Sequence, residues 1–158
     1  MKLLSIPEEA TACRAAWAGV PVGAMAWHCH HEMLAERLYE PADVRISFIL
    51  TNKPKHERAL RLRLFRPARA VAVGTAYDAY LVAAMKARAA RAAGERKAEA
   101  AYGAAFGKAY DAVTVVGLAY DAAIATADDD YDAAIGPSHV AECSDCPWDG
   151  KTIFPEAV

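Results

Sequence analysis

The second half of the chain repeats itself about every 11 residues, and this periodicity constrains the fold more than any other feature. Blocks of similar sequence begin at Ala76, Ala87, Ala98, Ala109, Ala119 and Asp130. Small side chains recur at the first, fourth and eighth positions of a block, as at Ala76, Ala79 and Ala83. Because 11 residues make three helical turns at 3.67 residues per turn, these positions share one side of a nearly straight helix. The repeat therefore predicts a long α-helix with a stripe of small residues.

The composition of this region supports a helix but requires a packing partner. Of the 65 residues from 71 to 135, 24 are alanine, the strongest helix former, and none is proline. An alanine stripe buries little area per residue, so the helix needs a partner along its length. A single helix of roughly 95 Å, at 1.5 Å per residue, could pack against other copies. Alternatively the chain could fold back at Gly94, placing residues 70–93 against 95–135 as a hairpin.

Charge is divided along the chain in a way that favours the hairpin. Residues 53–97 carry twelve Lys and Arg against three acids, whereas residues 98–158 carry two against eleven, and the net charge of the whole chain is only −2. Opposite blocks favour pairing with each other, within one molecule or between copies, over a uniform field aimed at an outside polyanion. The repeat passes through Gly94 in phase, however, which favours the continuous helix. Both arrangements stay open at this level.

Residues 1–69 predict a compact group of short helices. The segment Ser5-Ile6-Pro7-Glu8 is typical of a capping box with proline in the first turn, opening a helix that Gly19 can close. A stripe of residues spaced by 4, 3 and 4, at Trp27, His31, Leu34 and Leu38, predicts a second helix from about residue 24 to residue 39. A third helix is predicted from Pro41, and a fourth from Pro54 to about residue 65. Residues 60–64 also alternate like a strand, but no partner strand is evident.

These patterns together predict an all-α protein in three parts. A small N-terminal helical domain covers residues 1–69, an Ala-rich repeat helix or helical hairpin covers residues 70–136, and a short CxxC tail covers residues 137–158. No stretch is long and unbroken enough to span a membrane. No export signal is readable, so we expect a cytoplasmic protein whose cysteines are thiols or metal ligands rather than disulfides.

The sharpest chemical motif is the pair Cys143 and Cys146 in the tail. Two cysteines separated by two residues form half of a tetrahedral zinc site. The richest source of further ligands is the run from His28 to Glu32. On a helix, His28 and His31 would share a face and complete a Cys2His2 set. Cys29 and His30 are alternative ligands from the same run.

His139, four residues before Cys143, is a third source of a zinc ligand. The sequence therefore predicts a structural zinc ion that fastens the tail to the N-terminal domain, with an unmetallated tail or a redox CxxC as alternatives. A zinc hydrolase is less favoured, because the spacing of the histidines around Glu32 does not match HExxH. No phosphate-binding glycine loop or nucleophile elbow is present either, so we expect no enzymatic activity.

A basic segment at residues 53–69 is the second candidate site. Its arginines are Arg58, Arg61, Arg63, Arg66 and Arg69, and they follow Lys53 and Lys55. Such a cluster could contact the phosphates of a nucleic acid. The only aromatic residue among them is Phe65, so stacking on single-stranded bases is not expected. The alternative is a surface that meets the acidic residues around Asp128–Asp132.

The apolar tail residues Trp148, Ile153 and Phe154 are expected to dock, either on the N-terminal domain or on a neighbouring copy. The sequence thus favours a non-enzymatic structural or self-assembly protein that forms homo-oligomers and carries structural zinc. A nucleic-acid-associated helical protein acting through the basic segment is the alternative function.

Overall fold

A computed structural model of the chain describes residues 3–30, 33–102 and 106–154, with the side chains of residues 100–102 and 106–111 outside this description. The described part is mostly helical and includes a small three-stranded sheet. In chain order its elements are α1 (Ile6–Trp17), β1 (Met25–Trp27), β2 (Ala35–Arg37), α2 (Ala42–Asn52), α3 (Lys55–Leu64), β3 (Arg66–Pro67), α4 (Val71–Tyr102) and α5 (Phe106–Glu142).

The chain divides into two compact units. The first unit is Met1–Gly74 together with Ile135–Val158, and the second unit is Thr75–Ala134. Within the described residues, no helix is both long enough and apolar enough to cross a membrane.

The sheet in the first unit corrects the all-α prediction. Residues 24–39 do not form a helix, because β1 and β2 pair as an antiparallel hairpin with Met25 opposite Arg37. β3 pairs with the other edge of β1, giving the order β2-β1-β3. All three residues of β1 are buried. Three residues are too few to show the alternation of a strand, which is why the 4, 3 and 4 spacing was wrongly interpreted as a helix.

The other helices of the first unit agree with the sequence. In α1 the carboxylate of Glu8 accepts hydrogen bonds from the backbone N–H of Ser5 at 2.9 Å and from its hydroxyl at 2.6 Å. α2 begins after Pro41 and α3 begins after Pro54, as predicted. α3 runs through residues 60–64, so the strand alternative for that segment is wrong.

The core of the first unit forms where α1, α2 and α3 meet. Trp17 stacks on Phe65 with ring centroids 4.8 Å apart, and its indole N–H donates to the Phe65 carbonyl at 3.2 Å. Ile46 and Leu62 are fully buried in the same cluster. Ring stacking and the indole hydrogen bond both have a preferred geometry, whereas burial of apolar area has none. This pair therefore sets how α1 lies on the end of α3.

A partly buried ion pair joins α1 to α3 beside this core. The Glu9 side chain is fully buried and accepts hydrogen bonds from Arg63, the shortest at 2.6 Å, and from the backbone N–H of Leu4 at 2.9 Å. Burial raises the pKa of Glu9, but the hydrogen bonds from Arg63 and Leu4 and the nearby positive charges outweigh burial and lower it. The carboxylate is therefore the form that the fold selects.

The second unit contains residues 75–102 of α4 and 106–134 of α5, two helical arms that pack antiparallel. Tyr77 near the start of α4 lies 5.9 Å from Tyr131 near the end of α5, measured between ring centroids. Further along, the guanidinium of Arg91 lies 4.9 Å from the centre of the Tyr120 ring. The fold-back arrangement is therefore present, and the single continuous helix over residues 71–135 is not.

Gly94 does not end α4, contrary to the hairpin predicted from the sequence. α4 continues to Tyr102, and Gly94 faces α5, where a Cβ added to it would lie 2.6 Å from a methyl carbon of Val116. Its missing side chain lets the arms approach closely, which is a packing role rather than a turn.

The buried side of α4 also differs from the predicted stripe of small residues. Of the predicted positions, Ala87 and Ala98 are buried, whereas Ala79 and Ala83 are exposed. The additional buried residues Tyr77 and Ala84 come at a spacing of seven. Antiparallel helices that pack at a small angle favour this spacing, so the contact follows a heptad rather than the 11-residue repeat.

We expect Glu9→Gln to lower the free energy of unfolding by about 2 kcal/mol, because it removes the charge that Arg63 pairs with in a buried position. The lowered pKa adds a pH dependence. The contribution of Glu9 is complete above the ordinary glutamate pKa of 4.5 and is lost as the pH falls below that value. Urea denaturation from pH 7 down to pH 3 should thus show a shallower acid loss for the variant. Equal slopes below pH 4.5 in both proteins would contradict the assignment.

Substitutions at two helical glycines test the packing of the arms. Gly94→Ala should lower the free energy of unfolding of the second unit by ~1–2 kcal/mol, because the new methyl group overlaps Val116. The matched control is Gly117→Ala, where nothing lies within 4 Å of the added Cβ, so the higher helix propensity of alanine should stabilise by up to about 1 kcal/mol. Thermal unfolding followed by circular dichroism measures both. The double variant with Val116→Ala should recover the Gly94→Ala loss, and stabilisation by Gly94→Ala alone would exclude the close contact.

Candidate metal centre

Four side chains of the first unit converge at the end of α5. They are His28, His139, Cys143 and Cys146, and their ligand atoms all lie within 4.8 Å of one another. The Nε2 atoms of His28 and His139 are 3.0 Å apart, and the Sγ atom of Cys146 is 3.1 Å from Nε2 of His28. Zinc bonds of about 2.0–2.3 Å place tetrahedral N and S ligands roughly 3–4 Å apart. The cluster is therefore compact enough to hold a metal ion.

His28 reaches the cluster through an unusual backbone conformation just after β1. It is the one non-glycine residue of the described chain with a positive φ, at 50°. Its N–H donates to the Leu34 carbonyl at 3.0 Å, which continues the hairpin of β1 and β2. Side chains of a strand alternate between its two faces, and a residue in the left-handed region interrupts that alternation. The His28 ring is consequently 2% exposed and packs against Trp148.

The other three ligands come from eight consecutive residues at the end of α5. His139 lies in the last turn of the helix, buried against the ring of Trp27. The N–H of Cys143 donates to the His139 carbonyl at 2.7 Å, and the N–H of Cys146 donates to the Cys143 carbonyl at 3.0 Å. These bonds form a tight turn that brings both sulfur atoms to the same side as the imidazole of His139.

Glu142 anchors this turn to the rest of the first unit. Its carboxylate accepts hydrogen bonds from the indole N–H of Trp27 at 2.9 Å and from the backbone N–H groups of Arg69 and Ala70 at 2.8 Å each. The two backbone donors belong to the residues directly before α4, and a negative charge is favourable close to a helix N-terminus. Glu142 thus ties the end of α5 to the strand that precedes His28.

The two cysteines of the turn have opposite pKa shifts. The hydrogen bond from the Cys143 thiol lowers the pKa of Cys146 to about 3, with help from His139 and His28. The same bond raises the pKa of Cys143. Burial raises the pKa of Cys13 and Cys29 to about 12. Because the thiolate is the form that binds metal, the lowered pKa prepares Cys146 to act as a ligand. Cys13 and Cys29 are not among the four side chains of the cluster.

The structure brings together part of the ligand set considered from the sequence. His28, Cys143 and Cys146 meet, while His31 and Glu32 lie outside the described residues. His139 stood only as a third source of a ligand in the sequence analysis. Its position one helical turn before Cys143 could have indicated a shared site. That spacing is informative only if the helix extends to Glu142, and nothing in the sequence indicated where α5 ends.

Cys29 belongs to a different group, formed with His30 and Glu36. The Nδ1 atom of His30 contacts a carboxylate oxygen of Glu36, and Nη1 of Arg45 lies 3.4 Å from Nε2 of His30. A guanidinium at that position repels a further cation. This group is thus better described as a hydrogen-bonding network around Glu36 than as a second metal site.

The basic segment makes several bonds within the first unit. Arg63 pairs with Glu9, and the guanidinium of Arg61 pairs with Glu57 at 2.7 Å. Arg58 donates to the Lys53 carbonyl at 2.7 Å. The remaining two arginines, Arg66 and Arg69, line a cavity of about 330 Å³.

The apolar tail residues pack on the first unit of the same chain. Ile153 is fully buried, and the guanidinium of Arg61 lies 4.7 Å from the centre of the Phe154 ring. Trp148 is half-buried, with its ring centroid 5.7 Å from that of His28. Of the two docking surfaces expected from the sequence, the structure shows the one within the chain.

The four side chains of the cluster together present two imidazole nitrogens and two sulfur atoms. Such a set can bind a metal ion in a tetrahedral arrangement without help from any other group. No protein-family model, curated protein or solved structure matches the chain.

Proposed function

We propose that the chain is a non-enzymatic structural or interaction protein whose first unit is closed by a structural zinc ion. The observation that supports this most is the complete donor set of His28, His139, Cys143 and Cys146. Structural zinc sites use four protein ligands, whereas catalytic sites keep one position open for water or substrate. A site with four protein ligands leaves no position for a substrate.

The donor types favour zinc over other metals. Thiolate and imidazole ligands in a tetrahedral set are typical of zinc, whereas magnesium and calcium prefer oxygen ligands. The carboxylate of Glu142, directly before Cys143 in sequence, is already hydrogen-bonded to Trp27 and to the backbone N–H groups of Arg69 and Ala70. Its oxygens are therefore engaged as acceptors beside the cluster.

A metal at this position would stabilise the first unit, because it would link segments that are far apart in the sequence. His28 and His139 are 111 residues apart in sequence, and only the folded chain brings them together. Because the unfolded chain has no preformed site, the free energy of zinc binding becomes free energy of folding. This is the role expected of a structural ion in a unit of modest size.

The two other functions considered from the sequence receive less support. A nucleic-acid interface would need the arginines of residues 53–69 to face solvent, but Arg58, Arg61 and Arg63 bond to acceptors within the unit. A zinc hydrolase would need an open coordination position, which four protein ligands do not leave.

We expect one zinc ion per chain in the purified protein, measured by plasma emission spectrometry. Removal of zinc by a strong chelator should lower the free energy of unfolding by ~5 kcal/mol or more, and added zinc should restore it. Cobalt in place of zinc should give the visible absorption bands of a tetrahedral site with thiolate ligands. A protein that contains no zinc and takes up none would contradict the proposal.

Ligand variants separate this site from the alternatives. His139→Leu should lose zinc, while His139→Cys should retain it, because the cysteine supplies another ligand from the same position. The control is Cys29→Ser, which should keep the full zinc content. If Cys29→Ser lost zinc while His139→Leu kept it, the zinc site would instead lie in the run from His28 to Glu32.

A further inference from the structure

α4 has an exposed face within the second unit, on the side away from α5. We call this face the outer stripe, and it consists of Asp78, Val82, Met85, Ala89, Ala93 and Arg96, all exposed. Val82 is 51% exposed and Met85 67%. At 100° per residue these positions lie opposite Tyr77, Ala84 and Gly94, which are on the side of α4 that packs on α5. Adjacent exposed apolar side chains on one helix face make that face a candidate docking surface.

We infer that the outer stripe of α4 binds the same stripe of a second copy of this chain, antiparallel and related by a two-fold axis. The inference rests on the proposed structural and interaction function and names its partner. Such an axis near residue 87 would place Met85 opposite Ala89 of the second copy and Val82 opposite Ala93. The same axis would place Asp78 opposite Arg96.

The stripe is self-complementary in size. Its large apolar residues, Val82 and Met85, lie on one side of the axis, and its alanines, Ala89 and Ala93, lie on the other. Each large side chain therefore meets a small one across the interface, which is how packed helices interdigitate. A two-fold interface requires this self-complementarity, because the same surface is used by both copies.

The charges of the second unit favour the same antiparallel arrangement. Residues 75–85 and 122–134 carry five acids and no base, whereas residues 86–99 carry five bases and two acids. The contacts of Tyr77 with Tyr131 and of Arg91 with Tyr120 show that the two acidic stretches lie side by side at one end. An antiparallel pair brings the acidic end of each copy to the basic region of the other, while a parallel pair would oppose like charges.

The outward face of α5 lacks this symmetry and provides a control. Its corresponding row is Val115, Leu118, Ala122, Ala125 and Asp129. Leu118 is 65% exposed, so it matches Met85 in size and exposure. The row ends on an acid with no base at its other end, so it is not self-complementary in charge.

Sedimentation velocity of the full, metal-loaded chain tests the inference. We expect a particle of twice 16.9 kDa. Met85→Glu should convert it to a monomer, because two glutamates would be buried beside the two-fold axis. Leu118→Glu should leave the dimer unchanged. A monomer at all concentrations, a dimer insensitive to Met85→Glu, or an open series of larger particles would overturn the inference.

Charge exchange tests the orientation of the two copies. Asp78→Arg and Arg96→Asp should each weaken the dimer by about tenfold, since each variant loses two ion pairs and gains two repulsions. Mixing the two single variants should restore the original affinity, because both pairs are then matched in the mixed dimer. Failure of the mixture to associate better than either variant alone would exclude the antiparallel contact, provided that circular dichroism shows both variants folded.

Zinc content measured on the same samples separates the two proposals. A monomer that retains one zinc ion per chain overturns the dimer and leaves the structural metal site standing. A dimer that contains and takes up no zinc supports the outer stripe as an interface and overturns the metal site.

Discussion

The carboxylate of Glu142 is the contact on which the arrangement of the first unit depends. It accepts hydrogen bonds from the indole of Trp27 and from two backbone N–H groups at the start of α4, all at 2.8–2.9 Å. One side chain thereby joins a strand, the beginning of one long helix and the end of another. His139 lies three residues before it and Cys143 directly after it, so the same contact sets where three of the four candidate ligands lie. Hydrogen bonds to a charged carboxylate are stronger than hydrogen bonds between neutral groups.

The two units reach stability by different physical means. The first unit has an apolar core around Trp17 and Phe65, with the partly buried Glu9 and Arg63 pair beside it. The second unit consists of two Ala-rich arms that approach closely but bury little area, as the contact of Gly94 with Val116 illustrates. Close approach improves packing contacts, yet alanine contributes little apolar area per residue. We propose a structural zinc in the first unit and a second copy of the chain on α4 of the second unit. Each would add stability that the chain alone provides only weakly.

Strong local signals predicted the helices of the first unit correctly. The capping residues Ser5 and Glu8 located α1, and the prolines at 41 and 54 located α2 and α3. The prediction was wrong for Met25–Trp27, because a strand of three residues is too short to show alternation against the 4, 3 and 4 spacing that predicted a helix. It also misplaced the fold-back of the arms. A glycine within a helical pattern predicts an end, but at Gly94 it instead allows a neighbouring helix to come close.

The sequence by itself determined the helical character of the chain, its opposite charge blocks and the Cys143 and Cys146 half of a candidate metal site. These features are local, since they depend on propensity, capping and spacing along one segment. Only the tertiary structure decided that His28 and His139, 111 residues apart, complete the cluster, and that a heptad face joins the two arms. The meeting of distant side chains depends on how β1 and the end of α5 pack around Trp27 and Glu142. No pattern within a single segment encodes that packing.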